Sequence, residues 1–315
     1  MGIISTRTVG AEYSVREFYD GGVTALEVTG VRGLDVNKTF DCGQCFRFER
    51  VGNSRHESEW GGIAHGRFVS FATEGDKLYI YNATREDFDG IWKGYLGLDT
   101  DYAAAECDIL SRSDSPALAN AVEYGRGIRI LRQEGWETLC SFIISQNNNI
   151  PRIKKIITAL SERLGEEIDT SAMMCHGAQG DRGYAFPSAQ TIENAGTDVL
   201  VELRTGFRAK YIYDAASRVA SGELDLGDVD RTEHLDEAAD MLCEIKGVGP
   251  KVAACTLLFG FGRHDAFPID VWIKRAIEKY FPGDFDAARL GPYAGIAQQY
   301  LFYYERYLGG DNENK

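Results

Sequence analysis

The 315-residue sequence contains no apolar run long enough to cross a bilayer, and its longest runs, such as Thr256–Phe261, are short. Residues 1–11 also lack the apolar stretch of a secretory signal. These two absences predict an intracellular protein without a membrane partner, cytoplasmic in a prokaryote and nuclear in a eukaryote. Because 44% of the residues are apolar, the chain can bury a sizeable core in two or three domains.

Cysteine is sparse and irregular, and its seven positions do not have the spacing of a disulfide framework. We therefore expect reduced thiols. Cys42 and Cys45 form a C-x-x-C pair, but a zinc site would need a second such pair. A redox-active C-x-x-C would open a helix. Residues 39–48 alternate apolar and polar side chains, so we predict a strand there, with ordinary thiols.

Positive charge is in deficit, since the formal net charge is −14. Taken alone, this argues weakly against a nucleic-acid partner, because a phosphate backbone attracts cations. The acidic residues crowd segments 161–168 and 223–240, whereas six cations lie near one another in the sequence: Arg126, Arg129, Arg132, Arg152, Lys154 and Lys155. Local patches govern DNA binding more than the total charge does, so DNA remains a candidate partner. A high-salt cytoplasm is a second hypothesis for the acidity.

The residue pattern changes along the chain. Residues 13–81 hold short alternating runs separated by Gly, Asn and Asp, which predict an antiparallel sheet. The predicted strands include Thr24–Val28, Cys45–Arg50, Arg67–Ala72 and Lys77–Asn82. From residue 85 onward, apolar residues recur at three and four positions, which is helical spacing. We therefore predict an α+β fold, with an N-terminal antiparallel β-domain with flanking helices over residues 1–112 and a mostly α-helical body over 113–315.

Segment 243–255 (CEIKGVGPKVAAC) has the pattern of two helices joined by a glycine hairpin, in a unit of about residues 236–261. The first helix is predicted to end at Ile245, and Pro250 suits the first turn of the second. Backbone N–H groups of Gly247, Val248 and Gly249 would form a cradle for a phosphate. A turn used only for packing, and a hairpin that only binds DNA, are alternatives that this motif alone leaves open.

Two residues near the hairpin point to chemistry. Lys251 falls in the first turn of the second helix, where the positive end of the helix dipole disfavours an ammonium, and a neutral amine is nucleophilic. Asp270 follows 19 residues later, before the predicted helix Val271–Tyr280, and should be largely buried. The simpler interpretations are a surface lysine that contacts phosphate and an aspartate that only caps a helix.

KGVGPKVA followed by FPIDV resembles the helix–hairpin–helix and aspartate loop of the helix–hairpin–helix DNA glycosylase superfamily. This resemblance implies that, as in bifunctional members, the lysine attacks the sugar C1′ and forms a Schiff base. β-Elimination from this Schiff base then cuts the strand. The aspartate stabilises the developing sugar cation. Iron–sulfur members have four cysteines after the aspartate, and no cysteine follows Cys255 here. We expect no cofactor, no catalytic metal and a monomeric protein.

Four further segments resemble the 8-oxoguanine DNA glycosylase branch: CGQCFR at 42–47, SFIISQNNNIPRI at 141–153, LRTGFRAKY at 203–211 and GPYAGIAQQYLF at 291–302. The resemblance implies excision of 8-oxoguanine, preferably opposite cytosine, from double-stranded DNA. The Gly43 carbonyl would accept the N7–H that guanine lacks. Phe302 and Cys255 would sandwich the base, and Gln298 would bond its Watson–Crick edge.

The resemblance also implies roles in holding the DNA. Asn147 would fill the gap left by the flipped nucleotide, and Phe207 would wedge beside the opposite base. Arg152 and Arg208 would hold the unpaired cytosine. Trp272 stands where the family commonly has a phosphate-contacting histidine, which puts that contact in doubt.

Three alternatives remain at this point. The first is a helix–hairpin–helix glycosylase for another damaged purine. The second is a non-catalytic protein that binds damaged DNA. The third and weakest is a thiol-redox protein that uses Cys42 and Cys45.

The sequence departs from the 8-oxoguanine branch at two further positions, with Phe207 in place of a tyrosine and Pro151 in place of a small residue. Both changes bear on the preference for the base opposite the lesion.

Overall fold

The computed structural model describes residues 2–9, 13–52, 54–169, 183–281, 283 and 285–309. Seven strands form one antiparallel sheet in the order β1-β2-β3-β7-β6-β5-β4, and β8 and β9 form a separate pair. The strands are β1 Gly2–Val9, β2 Tyr13–Asp20, β3 Val23–Thr29, β4 Phe48–Arg50, β5 Glu59–Ala64, β6 Arg67–Glu74, β7 Lys77–Tyr81, β8 Glu167–Ile168 and β9 Gly183–Tyr184. The predicted strands at 24–28, 67–72 and 77–82 are confirmed to within two residues at each end.

The body of the chain is helical, and the predicted α+β class is confirmed. The α-helices are α1 Val36–Asp41, α2 Arg85–Asp87, α3 Lys93–Tyr95, α4 Tyr102–Ser111, α5 Pro116–Gly125, α6 Gly135–Ser145, α7 Ile150–Leu164, α8 Ala189–Glu202, α9 Ala209–Ser221, α10 Leu226–Arg231, α11 Leu235–Cys243, α12 Pro250–Gly260, α13 Val271–Tyr280 and α14 Ala294–Tyr304. The helical body also has two π-helical turns and two 3₁₀ segments. The π-helical turns are Phe88–Trp92 and Glu305–Gly309, and the 3₁₀ segments are Gly206–Arg208 and Ala287–Tyr293. Among the described residues no helix has the length and apolar character that a membrane crossing requires.

The predicted strand over 39–48 is wrong, because only Phe48 of it lies in a strand. Asp35 caps α1 by accepting the Lys38 N–H at 3.1 Å, and the C-x-x-C pair lies in the turns that follow this helix. Burial raises the pKa of Cys42 to about 12, and it also raises the pKa of Cys45. Since a thiolate is the reactive form, this environment argues against the thiol-redox alternative.

The sheet meets the helical body through the segment that follows α1. Gln44 binds the body from both ends of its amide, because its Nε2 donates to the Arg129 carbonyl at 2.7 Å and its Oε1 accepts the Leu131 N–H at 2.8 Å. Nearby, Arg47 donates to Glu137 of α6 at 3.3 Å. These bonds fix Gly43, which lies next to Gln44, against the helices.

The Glu137 carboxyl makes the stability of this junction depend on pH. Burial raises the pKa of Glu137 to about 7, and nearby Glu134 adds to this, although Arg47 opposes it. Between about pH 4.5 and 7 the folded state therefore holds a proton that the unfolded chain has released. Because of this group, the free energy of unfolding decreases as pH rises from about 4.5 to 7 and does not decrease further above pH 7. We expect Glu137→Gln to raise the melting temperature relative to wild type at pH 8, with little difference at pH 4.5. Thermal unfolding across this range tests it, and an equal difference at both pH values would contradict it.

Candidate active site

A cavity of about 940 Å³ lies where the turn after α1, the end of α6, the start of α12 and one face of α14 meet. Most of the predicted site residues line it: Gly43, Asn147, Phe207, Gly249, Lys251, Cys255, Asp270, Trp272, Gln298 and Phe302. Four predicted residues do not line it: Arg152, Arg208, Gly247 and Val248. Residues from segments more than 250 positions apart thus share one cleft.

Lys251 lies in the first turn of α12, as predicted, and points its amine into this cleft. Its Nζ lies 3.4 Å from the Ser145 hydroxyl and 5.0 Å from the centre of the Phe142 ring. It makes no ion pair with a carboxylate in the part of the chain that the structure describes. An amine without an acidic partner is free to reach a substrate atom.

Cys255 lies one turn after Lys251 on the same helix, and it is 3% exposed. Burial raises the pKa of Cys255 to about 11, although the neighbouring Lys251 opposes this shift. The thiol therefore stays neutral near pH 7 and presents a polarizable, uncharged surface to the cavity.

Asp270 is the N-cap of α13, as predicted, and one carboxylate oxygen accepts the N–H groups of Trp272 at 3.0 Å and Ile273 at 2.9 Å. Most of its surface is buried, in line with the prediction, but it is not fully enclosed. Its neighbours Ile269 and Val271 are 40% and 65% exposed. The carboxylate thus lies at an apolar, accessible edge of the cleft.

One end of the cavity has a recess made by Gly43, Gln298 and Phe302. Gly43 has a φ of +79°, and a Cβ there would lie 3.6 Å from the Phe302 ring, so a side chain at this position would be strained and would narrow the recess. Gln298 is 4% exposed, and its Oε1 has no hydrogen-bond partner among the described residues. A buried acceptor without a donor is costly, so this oxygen is suited to a ligand.

The three asparagines connect α6 to α7. Asn149 caps α7 by accepting the Arg152 N–H at 3.0 Å, whereas Asn147 is exposed and has a φ of +48°. Arg208 fixes this loop, because its guanidinium donates to the carbonyls of Gln146, Asn147 and Thr205.

The environment of Arg208 bears on its expected role. Its guanidinium was predicted to hold an unpaired cytosine, but the residue is 2% exposed and its N–H groups are bound to backbone carbonyls. In this structure it braces the loop that presents Asn147. Arg152 is exposed and makes one long bond of 3.4 Å to the Arg204 carbonyl, so it is available to a partner.

The helix–hairpin–helix is formed by α11 and α12, and α11 ends two residues before the predicted Ile245. Gly247 has a φ of +80°, and a Cβ there would lie 2.5 Å from the Tyr211 ring. The Val248 N–H was expected to be free, but it donates to the Ile245 carbonyl at 3.0 Å. The phosphate cradle is therefore narrower than predicted, with Gly249 and the first turn of α12 at its centre.

Two family descriptions match consecutive parts of the chain. Residues 27–139 match the 8-oxoguanine DNA glycosylase N-terminal domain, and residues 140–287 match the HhH-GPD superfamily of base excision DNA repair proteins. The protein named MBOgg1 superposes with a TM-score of 0.83 and 40% identity over 95% of this chain and 99% of its own.

The chain belongs to the 8-oxoguanine DNA glycosylase family.

Two other members of this glycosylase family are similar along most of their length. The 8-oxoguanine glycosylase/lyase of Clostridium acetobutylicum, solved with double-stranded DNA containing cytosine opposite 8-oxoG, is 36% identical, with a TM-score of 0.82 over 94% of this chain and 98% of its own. The N-glycosylase/DNA lyase OGG1 of Arabidopsis thaliana is 29% identical over 88% of this chain and 74% of its own.

Several residues that shape this glycosylase's cleft were missed from the sequence. Gln299 donates to the Cys42 carbonyl at 2.9 Å and holds the turn that carries Gly43. Gln44 anchors the same turn from its other side. Arg306 also lines the cavity, beyond the last segment that the sequence singled out. The two glutamines had no signal apart from their motifs, but Arg306 follows Gln298 and Phe302 at intervals of four residues, a helical spacing that could have revealed it.

Proposed function

We propose that this chain is a bifunctional DNA glycosylase and AP lyase that removes 8-oxoguanine, preferably opposite cytosine, from double-stranded DNA. The observation that supports it best is the shared cleft. A lysine amine without an acidic partner among the described residues lies there with Asp270, together with a recess whose acceptor has no donor in the same part of the chain. The likeness to the Clostridium acetobutylicum glycosylase/lyase supports the choice of lesion. Because the proposed substrate is cellular DNA, we infer that the protein is intracellular.

In this proposal Lys251 Nζ attacks C1′ of the damaged nucleotide while the bond from C1′ to the base breaks. The Asp270 carboxylate, which also lines the cleft, stabilises the positive charge that develops on the sugar. The lysine then forms a Schiff base with the opened sugar, and β-elimination removes the 3′ phosphate. One amine therefore serves both base release and strand cleavage.

The recess supplies base selection. The Gly43 carbonyl accepts the N7–H of 8-oxoguanine, Gln298 binds the Watson–Crick edge, and Phe302 and Cys255 pack against the two faces of the ring. Guanine has no hydrogen at N7, so it would leave the glycine carbonyl unpaired. The unsatisfied Oε1 of Gln298 would gain the N–H donors of that edge.

The rim of the cleft supplies the grip on the duplex. Asn147 and Phe207 are both exposed; Asn147 would fill the gap, Phe207 would wedge beside the opposite base, and Arg152 would contact the unpaired cytosine. Gly249 and the α12 N-terminus would bind a backbone phosphate. Trp272 would pack beside that strand rather than bind its phosphate. The boundary at residue 112 between the β-domain and the helical body is likewise a proposal.

A panel of lesions tests the proposed substrate. Single-turnover excision by the wild-type protein should be fastest on a duplex with 8-oxoguanine opposite cytosine, compared with matched duplexes that carry an alkylated purine or uracil. Faster excision of an alkylated purine would support the alternative glycosylase and contradict the choice of lesion. Specific binding with no excision of any lesion would support the non-catalytic alternative.

The two hairpin glycines give a matched pair of variants. Gly247→Ala should destabilise the protein by about 1–3 kcal/mol, because the new Cβ meets the Tyr211 ring and the φ is positive. Gly249 has an extended φ, and a Cβ added there would have no neighbouring atom within 4 Å, so Gly249→Ala should fold normally and weaken only DNA binding. Thermal unfolding and binding to an abasic-site duplex measure the two effects. Equal melting temperatures for both variants would contradict this assignment.

A further inference from the structure

Arg306 is a partly buried cation at the recess that the proposed recognition scheme leaves unused. Its Nη1 would lie 3.6 Å from a Cβ on Gly43, so it shares the glycine's side of the recess with the Phe302 ring edge. This Nη1 is buried and has no hydrogen-bond partner among the described residues. A buried guanidinium N–H without an acceptor costs free energy of folding. This cost indicates that a bound ligand supplies the missing acceptor.

The position of Arg306 is fixed by its neighbours. It belongs to the π-helical turn 305–309, and the adjacent Glu305 accepts the Tyr280 hydroxyl at 2.7 Å and the Lys279 ammonium at 3.4 Å. The guanidinium carbon lies 5.9 Å from the Phe302 ring centre and 5.1 Å from that of Tyr307. Within the described ranges it has no ion pair, so its charge faces the cavity uncompensated.

The order of residues along α14 and the π-helical turn that follows it indicates which end of a bound base Arg306 meets. Gln298, Phe302 and Arg306 follow at intervals of four residues and span about 12 Å at 1.5 Å per residue. A purine that stacks on Phe302 with its Watson–Crick edge at Gln298 directs its five-membered ring toward Arg306. In 8-oxoguanine that end of the base is the C8 carbonyl, next to the N7–H that faces Gly43.

We propose that Arg306 donates a hydrogen bond to O8 of the flipped 8-oxoguanine and thereby recognises the oxygen itself. This inference rests on the proposed function. Guanine has no hydrogen at N7 to offer the Gly43 carbonyl and no oxygen at C8 to accept the Arg306 N–H. The recess would then recognise both groups that oxidation of guanine introduces, the N7–H donor and the O8 acceptor.

The same contact assists base release. As Lys251 Nζ bonds to C1′, the electron pair of the C1′–N9 bond stays on the base, and conjugation through C8 places part of the negative charge on O8. The proton that the attached lysine nitrogen loses finally neutralises the released base. A guanidinium donor at O8 stabilises this charge as it develops, which is where such a donor has most effect.

The experiment compares excision of 8-oxoguanine and 8-thioguanine, each opposite cytosine, by wild type and by Arg306→Met under single-turnover conditions. 8-Thioguanine keeps the N7–H but presents sulfur, a weaker acceptor, at C8. We expect Arg306→Met to slow 8-oxoguanine excision by roughly 10- to 100-fold. The rate ratio between the two lesions should shrink by a similar factor in this variant, and Arg306→Lys should recover part of it.

The controls separate the different kinds of failure. Arg231→Met removes an exposed cation from α10, outside the cavity, and should change neither rate. Binding of an abasic-site duplex and the melting temperature should not differ between Arg306→Met and wild type. An unchanged ratio between the lesions would overturn the contact with O8, whether Arg306 binds another atom or only fills the recess. Failure of wild type to excise 8-oxoguanine would instead contradict the proposed function.

Discussion

Replacing Lys251 with glutamine should abolish both base excision and strand cleavage on a duplex with 8-oxoguanine opposite cytosine. Glutamine keeps most of the length and a polar end but has no nucleophilic amine. Its amide can still lie near the Ser145 hydroxyl and the Phe142 ring, so the fold and DNA binding should survive. We expect the single-turnover rate to fall by at least about 10³-fold.

The control for this loss is Lys77→Gln, which removes one ammonium from a sheet strand, where Lys77 pairs with Glu27 at 3.4 Å. Its rate should equal that of wild type. Excision by Lys251→Gln at a rate near that of wild type would show that another group attacks the sugar. Retained excision with lost strand cleavage would limit Lys251 to the lyase step.

Two substitutions of Asp270 should separate its two roles. Asn is also a good N-cap, so Asp270→Asn should keep the bonds to the Trp272 and Ile273 N–H groups while it removes the charge. Excision should fall by about 10²- to 10³-fold, because the developing sugar cation loses its counter-charge. Asp270→Ala should lose as much activity and also about 1 kcal/mol of stability.

Single-turnover kinetics and thermal unfolding of these two variants give the required comparison. Binding to an abasic-site duplex should be similar for both, since the phosphate cradle at Gly249 is untouched. If Asp270→Asn excised as fast as wild type while only Asp270→Ala lost stability, Asp270 would be a helix cap and nothing more.

The sequence predicted the helical body better than the edge of the sheet. The helix 271–280 has its predicted bounds because it starts at an aspartate cap and presents apolar residues at helical spacing. Segment 39–48 was misread because alternation over a few residues is also compatible with a short helix and turns. The Asp35 cap, which starts α1, was the overlooked signal.

Within the site, sequence motifs located residues better than they located side-chain contacts. The motifs placed Lys251, Cys255 and Asp270 in one cleft because each motif is short and locally constrained. The burial of Arg208 among loop carbonyls depends on how α9 packs against the 146–149 loop, which no local pattern encodes. Arg306 lies beyond the last recognised motif, in a widened turn, and only the folded chain brings it to Gly43.

Borohydride trapping tests the central claim most directly, because reduction fixes a Schiff base between protein and sugar as a stable covalent bond. The wild-type protein is incubated with the 8-oxoguanine–cytosine duplex and sodium borohydride, in parallel with Lys251→Gln and Lys77→Gln. We predict a covalent protein–DNA product for wild type and Lys77→Gln, with the attachment at Lys251, and none for Lys251→Gln. Excision by wild type without any trapped product, or a trapped product of equal yield with Lys251→Gln, would contradict the assignment of Lys251 as the nucleophile.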